Sequence, residues 1–314
     1  MQPKFLNNSR AYPLQNFFPK NNKMKKVLNL IKPRSLMDWH HQHLTLTETK
    51  KGLATFALFS LLALLPFSDL SAINITSIAT GNWNAASTWD SGTIPTSADD
   101  VTIADGHTVT INSFVDAEFA TLNIVGTGAG GTLTTINNAD LLGTGGITNA
   151  GTINITQTGG GQTTNIESDI TNTGTINWTG ATLASTAGVT ITSSGTFNFN
   201  PGGNTLTNIA IVNTGAMDRT AALFFTLPAG SNITNSAGGT FTLGTGSFLT
   251  FSGNFTNAGS MIIDGEANFN AGTFDLASGT MSGTGEVDIN NNNTFTSDVT
   301  FGVVSVVHLS LIHI

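Results

Sequence analysis

The stretch ITNAGTINI, residues 147–155, decides the fold because close variants of it follow along the chain. They are ITNTGTINW at 170–178, ITSSGTFNF at 191–199, IVNTGAMDR at 211–219, ITNSAGGTFTL at 233–243 and FTNAGSMII at 255–263. Successive copies begin 23, 21, 20, 22 and 22 residues apart. A recurrence of this length is typical of a solenoid, in which each repeat is one supersecondary unit.

Each copy has the alternation of a strand with one buried face. In the first copy, Ile153 and Ile155 alternate with Thr152 and Asn154. A period of about 22 residues is too short for a strand–helix–strand unit, but it suits one coil with two or three short strands. The sequence therefore predicts an all-β, right-handed parallel β-helix (solenoid) with coils of about 20–23 residues around an Ile, Phe and Leu core.

Asn149 and Gly151 precede the strand of the first copy, where an Asx-type turn and a residue with positive φ would make a corner. Because coils stack roughly 4.8 Å apart, equivalent residues of successive copies are expected to lie above one another. The expected asparagine stack contains Asn149, Asn172, Asn213, Asn235 and Asn257. The expected glycine stack contains Gly151, Gly174, Gly195, Gly215 and Gly259.

The charge distribution divides the chain near residue 51. Ten of the 11 Lys and Arg residues lie at or before Lys51, and from Ile73 onward sixteen Asp and Glu residues accompany only Arg219. Such an acidic surface repels phosphate, which excludes nucleic-acid binding. The chain has no cysteine, which excludes a disulfide scaffold and a Cys-ligated metal site.

Residues 50–72, KKGLATFALFSLLALLPFSDLSA, have the pattern of a signal peptide: a basic start, an apolar run and small residues at the exit. Cleavage is predicted after Ala72. A membrane-spanning helix is the alternative, but it needs about 20 apolar residues and Pro66 ends the run early. No membrane span is therefore expected in the mature chain, and residues 1–49 are interpreted as a leader or a mis-assigned start.

Residues 73–112 are interpreted as an N-terminal cap. The large side chains of Trp83 and Trp89 would cover the first coil. Strands are predicted at 101–103 and 108–111, with Ala104–His107 as a hairpin-like connection between them.

The cap carries a resemblance to known proteins. Its pattern is formed by Gly81, Trp83, Trp89, Pro95, Asp99, Asp100, Val101, Gly106, His107 and Val109. This pattern resembles the opening module of large secreted bacterial repeat proteins and the start of the extracellular domain named for its eight conserved glycines. The resemblance implies an exported, adhesin-like surface or matrix protein that carries a β-solenoid at the bacterial envelope.

Residues 113–308 are predicted to form the coils, with less regular ones over 113–146. After residue 263 the recurrence tightens to about 14 residues, so these coils are either shorter or misaligned by eye. Residues 309–314, LSLIHI, match the translation of a common transposon-derived sequencing adapter, which predicts an artefactual end and an array continuing past Val307. A genuine apolar strand is the alternative.

Catalytic residues are not predicted. Asp99 and Asp100 point to opposite faces of a strand and are interpreted as a turn former and a hydrogen-bonded strand edge, whereas Asp264 and Glu266 share a face that is interpreted as solvated. His107 is interpreted as a turn residue that closes the cap, because a lone histidine completes neither a metal site nor a triad. No cofactor is predicted; Ca²⁺ stays an alternative because oxygen ligands abound, although the chain has no D-x-D-x-D-G loop.

The favoured function is therefore a non-enzymatic structural or adhesive segment whose outward Thr and Asn rows bind glycans or other cell-surface components. An ice-binding-like face is a second interpretation. It would need pairs such as Thr108/Thr110, Thr190/Thr192 and Thr240/Thr242 on one face of consecutive coils, and their irregular spacing argues against it. The third is a carbohydrate-active β-helix enzyme whose catalytic coils lie in a missing C-terminal portion.

Overall fold

The computed structural model describes residues 72–157, 161–180, 182–201, 205–222 and 224–289, together with the backbone of 305–309. The predictions for the leader, the signal peptide up to Ser71 and residues 310–314 lie outside these ranges. Within them the chain forms strands and one turn of 3-10 helix at Ala86–Thr88. The strands in chain order are β1 (Asn74–Thr76), β2 (Gly81–Asn82), β3 (Asp100–Ile103), β4 (Thr108–Ile111), β5 (Asp116–Phe119), β6 (Thr121–Ile124), β7 (Thr132–Ile136), β8 (Asp140–Gly143), β9 (Ile147–Asn149), β10 (Thr152–Thr156), β11 (Thr163–Asn165), β12 (Ile170–Asn172), β13 (Thr175–Trp178), β14 (Thr182–Ser193), β15 (Thr196–Phe199), β16 (Leu206–Asn213), β17 (Ala216–Arg219), β18 (Phe224–Leu227), β19 (Asn232–Asn235), β20 (Thr240–Leu243), β21 (Phe248–Phe251), β22 (Asn254–Asn257), β23 (Ser260–Ile263), β24 (Glu266–Phe269), β25 (Phe274–Asp275), β26 (Thr280–Ser282), β27 (Glu286–Ile289) and β28 (Ser305–Leu309).

The strands stack as parallel sheets around one core. Sheet 1 has the order β1-β3-β6-β9-β12-β14-β16-β19-β22-β25, and sheet 2 has the order β2-β4-β7-β10-β13-β15-β17-β20-β23-β26. The third side of the coil is built in pieces: β5 with β8, β11 with the first residues of β14, and sheet 3 with the order β18-β21-β24-β27-β28. The predicted fold class is confirmed as a parallel β-solenoid of about nine coils, whereas its handedness stays a prediction.

The register sets the coil length. Ile147 pairs with Ile170, Ile170 with Ile191, and Ile211 with Ile233, so the regular copies overlay residue by residue. Outside the regular copies the length varies from the step between Asn74 and Asp100 to the step between Phe255 and Phe274. Met261 pairs with Met281, so the coil there is still about 20 residues long and the apparent tightening to about 14 was a misalignment.

Alternating side chains of every sheet point inward and form the core. In sheet 2 one buried column contains Val109, Leu133, Ile153, Ile176, Phe197, Met217, Phe241, Met261 and Met281. Burying a side chain of this size stabilises the fold by about 1.5–3 kcal/mol. A single coil cannot exclude water from both of its open ends, so this stabilisation exists only in the stack.

Asparagines form a ladder inside the core of sheet 1. Asn149 pairs with Asn172, Asn213 with Asn235, and Asn235 with Asn257, and all of these side chains are 0% exposed. The Nδ2 of Asn149 donates to the Oδ1 of Asn172 (2.6 Å), that of Asn213 to Asn235 (2.8 Å), and that of Asn235 to Asn257 (2.7 Å). Each amide also donates to a main-chain oxygen of sheet 2 in the next coil, so the ladder ties the two sheets together.

The ladder has one substituted rung and one open end. Ser193 occupies the rung between Asn172 and Asn213, and its Oγ accepts from the Asn172 Nδ2 at 2.9 Å. At the other end, Ile124 pairs with Asn149, whose buried Oδ1 has no hydrogen-bond partner among the described residues. The repeat therefore ends its internal polar network at a hydrocarbon neighbour.

Glycines stack at the corner between sheets 1 and 2, but not for the predicted reason. None of Gly151, Gly174, Gly195, Gly215 and Gly259 has a positive φ, so that prediction was wrong. A Cβ on Gly174, Gly195 or Gly215 would instead lie under 3.0 Å from the carbonyl oxygen of the glycine one coil earlier. The corner needs glycine because successive backbones approach too closely for any side chain.

The longer fifth copy keeps this stack. Thr240 N donates to the oxygen of Gly215, and Ser260 N donates to that of Gly239, so Gly239 fills the glycine position in this coil. The extra residues form a turn in which Gly238 has φ +87°. The insertion is thus absorbed at a corner and leaves the strands in register.

The predicted hairpin-like connection at Ala104–His107 was also wrong. β3 belongs to sheet 1 and β4 to sheet 2, so the two strands do not pair. The connection is a corner turn in which His107 N donates to Ala104 O (3.2 Å) and Gly106 has φ +72°. Gly106 is required there because a two-residue corner with this geometry needs a left-handed residue.

Trp83 and Trp89 lie in the first coil, each 1% exposed. Their rings are 5.1 Å apart in an edge-to-face arrangement, and the Nε1 of Trp89 donates to the Trp83 oxygen at 2.8 Å. Trp83 also contacts Phe119, with ring centroids 6.1 Å apart. The pair therefore packs into the core beside the first complete coil, and its role as a cap stays a prediction.

Candidate binding surface

The outer face of sheet 2 carries two parallel columns of polar side chains, which we call the hydroxyl–amide face. The first column contains Thr108, Thr132, Thr152, Thr175, Thr196, Ala216, Thr240, Ser260 and Thr280. The second contains Thr110, Thr134, Asn154, Asn177, Asn198, Asp218, Thr242, Ile262 and Ser282. Neighbouring members of a column are one strand spacing apart, about 4.8 Å, and the columns are two residues apart along each strand.

Part of this face is held rigid by its own hydrogen bonds. The Nδ2 of Asn177 donates to the Oδ1 of Asn154, and the Nδ2 of Asn198 donates to the Oδ1 of Asn177, both at 2.8 Å. These amides are partly exposed, so their remaining donors and acceptors face solvent. A flat surface of fixed hydroxyl and amide groups can hydrogen-bond the hydroxyls of an extended polymer without first being ordered.

The sequence identified only part of this face. Thr108/Thr110 and Thr240/Thr242 belong to it, whereas Thr190/Thr192 lies on β14 in sheet 1. The members at 132/134, 152/154, 175/177 and 196/198 were missed. Their signal was present, because the sixth and eighth letters of ITNAGTINI occupy the same two columns in each copy.

Asp99 and Asp100 serve the local roles expected of them. Asp99 is 6% exposed, and its Oδ2 accepts from the N and Oγ1 of Thr96 at 2.8 and 2.7 Å, which forms a turn. The Oδ1 of Asp100 accepts from the Thr121 Oγ1 of the next coil at 2.6 Å. Neither carboxylate faces a second one across a cleft, as glycoside hydrolysis requires.

Other carboxylates also accept hydrogen bonds from a neighbouring coil. Donors to them come from residues about one coil away in sequence: Thr76 to Asp90, Gly130 to Asp105, Asn165 to Asp140, Thr190 to Asp169 and Thr284 to Asp264. Charge-assisted hydrogen bonds of this kind are stronger than neutral ones. The acidic residues thus link coils together.

Glu167 is the most heavily bonded of these carboxylates. It accepts from the N of Thr186 (2.9 Å), the Oγ1 of Thr186 (2.9 Å), the N of Ala187 (3.3 Å) and the Oγ of Ser185 (3.2 Å). Burial alone would raise the pKa of Glu167, but these hydrogen bonds outweigh it and lower the pKa below its ordinary value. They hold the bulge where β14 passes from the third side of the coil to sheet 1.

His107 pairs with a buried serine. Its Nδ1 lies 3.0 Å from both the Oγ and the main-chain oxygen of Ser77, which is 2% exposed. The Ser77 Oγ also accepts from Ala104 N at 2.9 Å, so it is engaged in the corner that His107 closes. A serine hydroxyl buried in this way cannot reach a substrate, and the contact fits the predicted turn role of His107.

Arg219 lies in the core. Its side chain is 0% exposed, its Nη1 donates to Phe199 O (3.2 Å) and Pro201 O (3.4 Å), and its guanidinium lies 5.4 Å from the ring centroid of Phe225. Burial lowers the pKa of Arg219 to about 10, so it is still a cation at neutral pH. The sequence signal was its place as the last letter of IVNTGAMDR, a position that the other copies give to Ile155, Trp178 or Phe199.

Metal ligands do not cluster in the described part of the chain, where no group of three His, Cys, Asp or Glu side chains could hold an ion. The Ca²⁺ alternative stays a prediction. Across the same ranges, no helix reaches the length and apolarity that crossing a bilayer requires.

Comparison of this chain with protein-family models, with curated proteins and with solved structures finds no match.

Proposed function

We propose that this chain is an exported, non-enzymatic β-solenoid segment whose hydroxyl–amide face binds saccharides at a cell surface or in an extracellular matrix. The observation that carries the proposal is the register of that face, which repeats the same polar groups over successive coils. A polysaccharide also repeats the same hydroxyls at a fixed interval, so many weak contacts can form together and raise the avidity.

The use of the acidic side chains supports a non-catalytic role. Asp100 and Glu167 bond to neighbouring coils, and Asp99 forms a local turn. The basic group that a lyase would place beside a uronate is, in Arg219, buried under Phe199 and Phe225. These groups stabilise the solenoid.

Export is supported by the sequence. The basic pair Lys50–Lys51, the apolar run to Phe67 and the Ser71-Ala72 exit form the signal pattern. Expression of the full chain in a bacterium, followed by N-terminal sequencing of the exported product, is expected to give Ile73 as the first residue. A product that keeps the apolar run contradicts the export proposal.

Saccharide binding is tested by retention of the full chain on insoluble neutral polysaccharides such as cellulose and chitin. The triple variant Thr132→Val, Thr152→Val, Thr175→Val replaces three outward hydroxyls of sheet 2 by methyls of similar size. It is expected to weaken retention about tenfold, since each lost hydrogen bond contributes about 0.5–1.5 kcal/mol. The matched control is Thr148→Val, Thr171→Val, Thr192→Val on the outer face of sheet 1. Equal retention of both triple variants, or no retention of the native chain on any polysaccharide, overturns the proposal.

A second candidate function follows from the same register: ordering of water at the surface of ice. The threonines of the first column stand in consecutive coils over Thr108–Thr196, which removes the objection from irregular sequence spacing. Thermal hysteresis and ice-recrystallisation assays with the native chain and the sheet 2 triple variant decide it. Activity in the native chain that is lost in that variant favours this candidate, and inactivity of the native chain rejects it.

A further inference from the structure

An exposed aromatic pair lies on the outer surface of sheet 3. Phe224 and Phe248 begin β18 and β21 and are register partners, and their rings stack with centroids 4.6 Å apart and planes inclined by 24°. The side chain of Phe224 is 72% exposed. Exposing an apolar ring to water is unfavourable, and two such rings side by side offer a platform on which the flat face of a ligand can pack.

Two glutamates continue the same column. Glu266 pairs with Phe248, and Glu286 pairs with Glu266. Like charges directly opposite each other destabilise a sheet. The only Lys or Arg of the described residues, Arg219, is buried in the core. A positively charged group from outside the chain would relieve this repulsion.

A groove of about 320 Å³ joins these features. It is lined by Phe248, Asp264, Glu266 and Glu286, with glycines and small residues at its floor. Asp264 Oδ1 accepts from the N and Oγ1 of Thr284, both at 2.9 Å, so the position of this carboxylate is fixed between two coils. The volume is at the lower end of small-molecule sites and suits a sugar ring with its substituents.

We propose that this aromatic–carboxylate groove binds a sugar residue that carries a free amino group, as part of a cationic saccharide. The C–H face of the sugar packs on Phe224 and Phe248, and the ammonium group lies between Glu266 and Glu286. A metal ion would not use the aromatic pair, and a neutral sugar would not use two opposed carboxylates. The inference rests on the proposed saccharide-binding function and names a ligand class for a separate site of the same surface.

The test is calorimetric titration of the full chain with a β-linked glucosamine hexamer and with the same hexamer fully N-acetylated. The amine-bearing hexamer is expected to bind about tenfold more tightly or better, because a charge-assisted hydrogen bond and a cation–π contact are each lost on acetylation. The difference is expected to shrink as salt is added. The double variant Glu266→Gln, Glu286→Gln is expected to abolish the preference, and Phe224→Ala is expected to weaken binding of both hexamers.

Matched controls separate the groove from general charge and general exposure. Asp116→Asn, Glu118→Gln removes the same charge from β5, and Phe114→Ala removes another ring, one that is 78% exposed. Both are expected to leave the preference unchanged, and circular dichroism checks that every variant is folded. Equal binding of the two hexamers, binding of neither, or equally tight binding of a lysine hexapeptide overturns the proposal. Failure on neutral polysaccharides with a retained amine preference rejects only the hydroxyl–amide face, whereas the reverse result rejects only the groove.

Discussion

The internal asparagine ladder gives the sharpest prediction, and Asn235→Ala tests it. The side chain of Asn235 donates to Asn257 Oδ1 at 2.7 Å and to Ser260 O at 2.9 Å, and it accepts from Asn213 Nδ2 at 2.8 Å. Three hydrogen bonds at about 1 kcal/mol each, and one buried acceptor left unsatisfied at about 1–3 kcal/mol, give a loss of roughly 4–6 kcal/mol.

The matched control lies on the same strand. Asn232 makes the equivalent lateral contact on the outside, where it accepts from Asn254 Nδ2 at 2.9 Å. Asn232→Ala is expected to cost under about 0.5 kcal/mol, because water replaces the lost partner.

The assay is urea unfolding followed by circular dichroism, with the free energy of unfolding compared at equal slopes. A double-mutant cycle between Asn213 and Asn235 is expected to give a coupling of about 1–2 kcal/mol, against nearly none between Asn232 and Asn254. If Asn235→Ala and Asn232→Ala lower the free energy of unfolding by equal amounts, the internal ladder does not stabilise the stack and the reasoning fails.

The other predictions use the ends of the ladder, the glycine corner and the two perturbed titrations. Ile124→Asn places an amide beside the unpartnered Asn149 Oδ1 and is expected to cost under about 1 kcal/mol in urea unfolding, whereas Ile103→Asn, one coil earlier in the same column, is expected to cost over about 3; equal costs would refute the extension of the ladder. Gly195→Ala meets backbone atoms and is expected to lower the melting temperature strongly, but Gly146→Ala meets only Asp169 O at 3.7 Å and is expected to leave it unchanged or slightly raised. Hydrogen bonds to the charged form lower the pKa of Glu167, so its contribution to stability is present above about pH 4.5 and is lost as the pH falls through the lowered value; Glu167→Gln is expected to flatten this acid limb of a plot of melting temperature against pH. Burial lowers the pKa of Arg219 from 12.5 to about 10, so the unfolded chain binds the extra proton between these values and stability is expected to rise with pH there; a flat alkaline limb in the same plot contradicts the burial argument.

The sequence predicted what repeats and failed where the physical reason differs from the usual one. The columns through Asn172 and Gly174 followed from the period alone, because equal positions of equal coils must stack. The role of the glycines was missed, since glycine is required both for positive φ and for close approach of backbones, and only coordinates separate these causes. The corner at Gly106 was mistaken for a hairpin because both connections use the same turn residues.

The third side of the coil was the least predictable from sequence. Its strands range from the three residues of β11 to the first part of β14, and they share no repeated motif. The aromatic–carboxylate groove lies on that side. Phe224 and Phe248 are 24 positions apart in the sequence and become neighbours only through the register of β18 and β21. Asp264 and Glu266 were noticed as a pair, but Glu286 joins them only when the coils are stacked.

The parallel stacking also determines how the molecule responds to tension along its axis. The coils are then connected in series, and each junction carries the full pulling force. β25 has only two residues, and its register to the preceding coil consists of Phe255 with Phe274 and Thr256 with Asp275. This junction is therefore the mechanical fuse of the described array: under load it separates first, and the longer strands of β14 and β16 separate last.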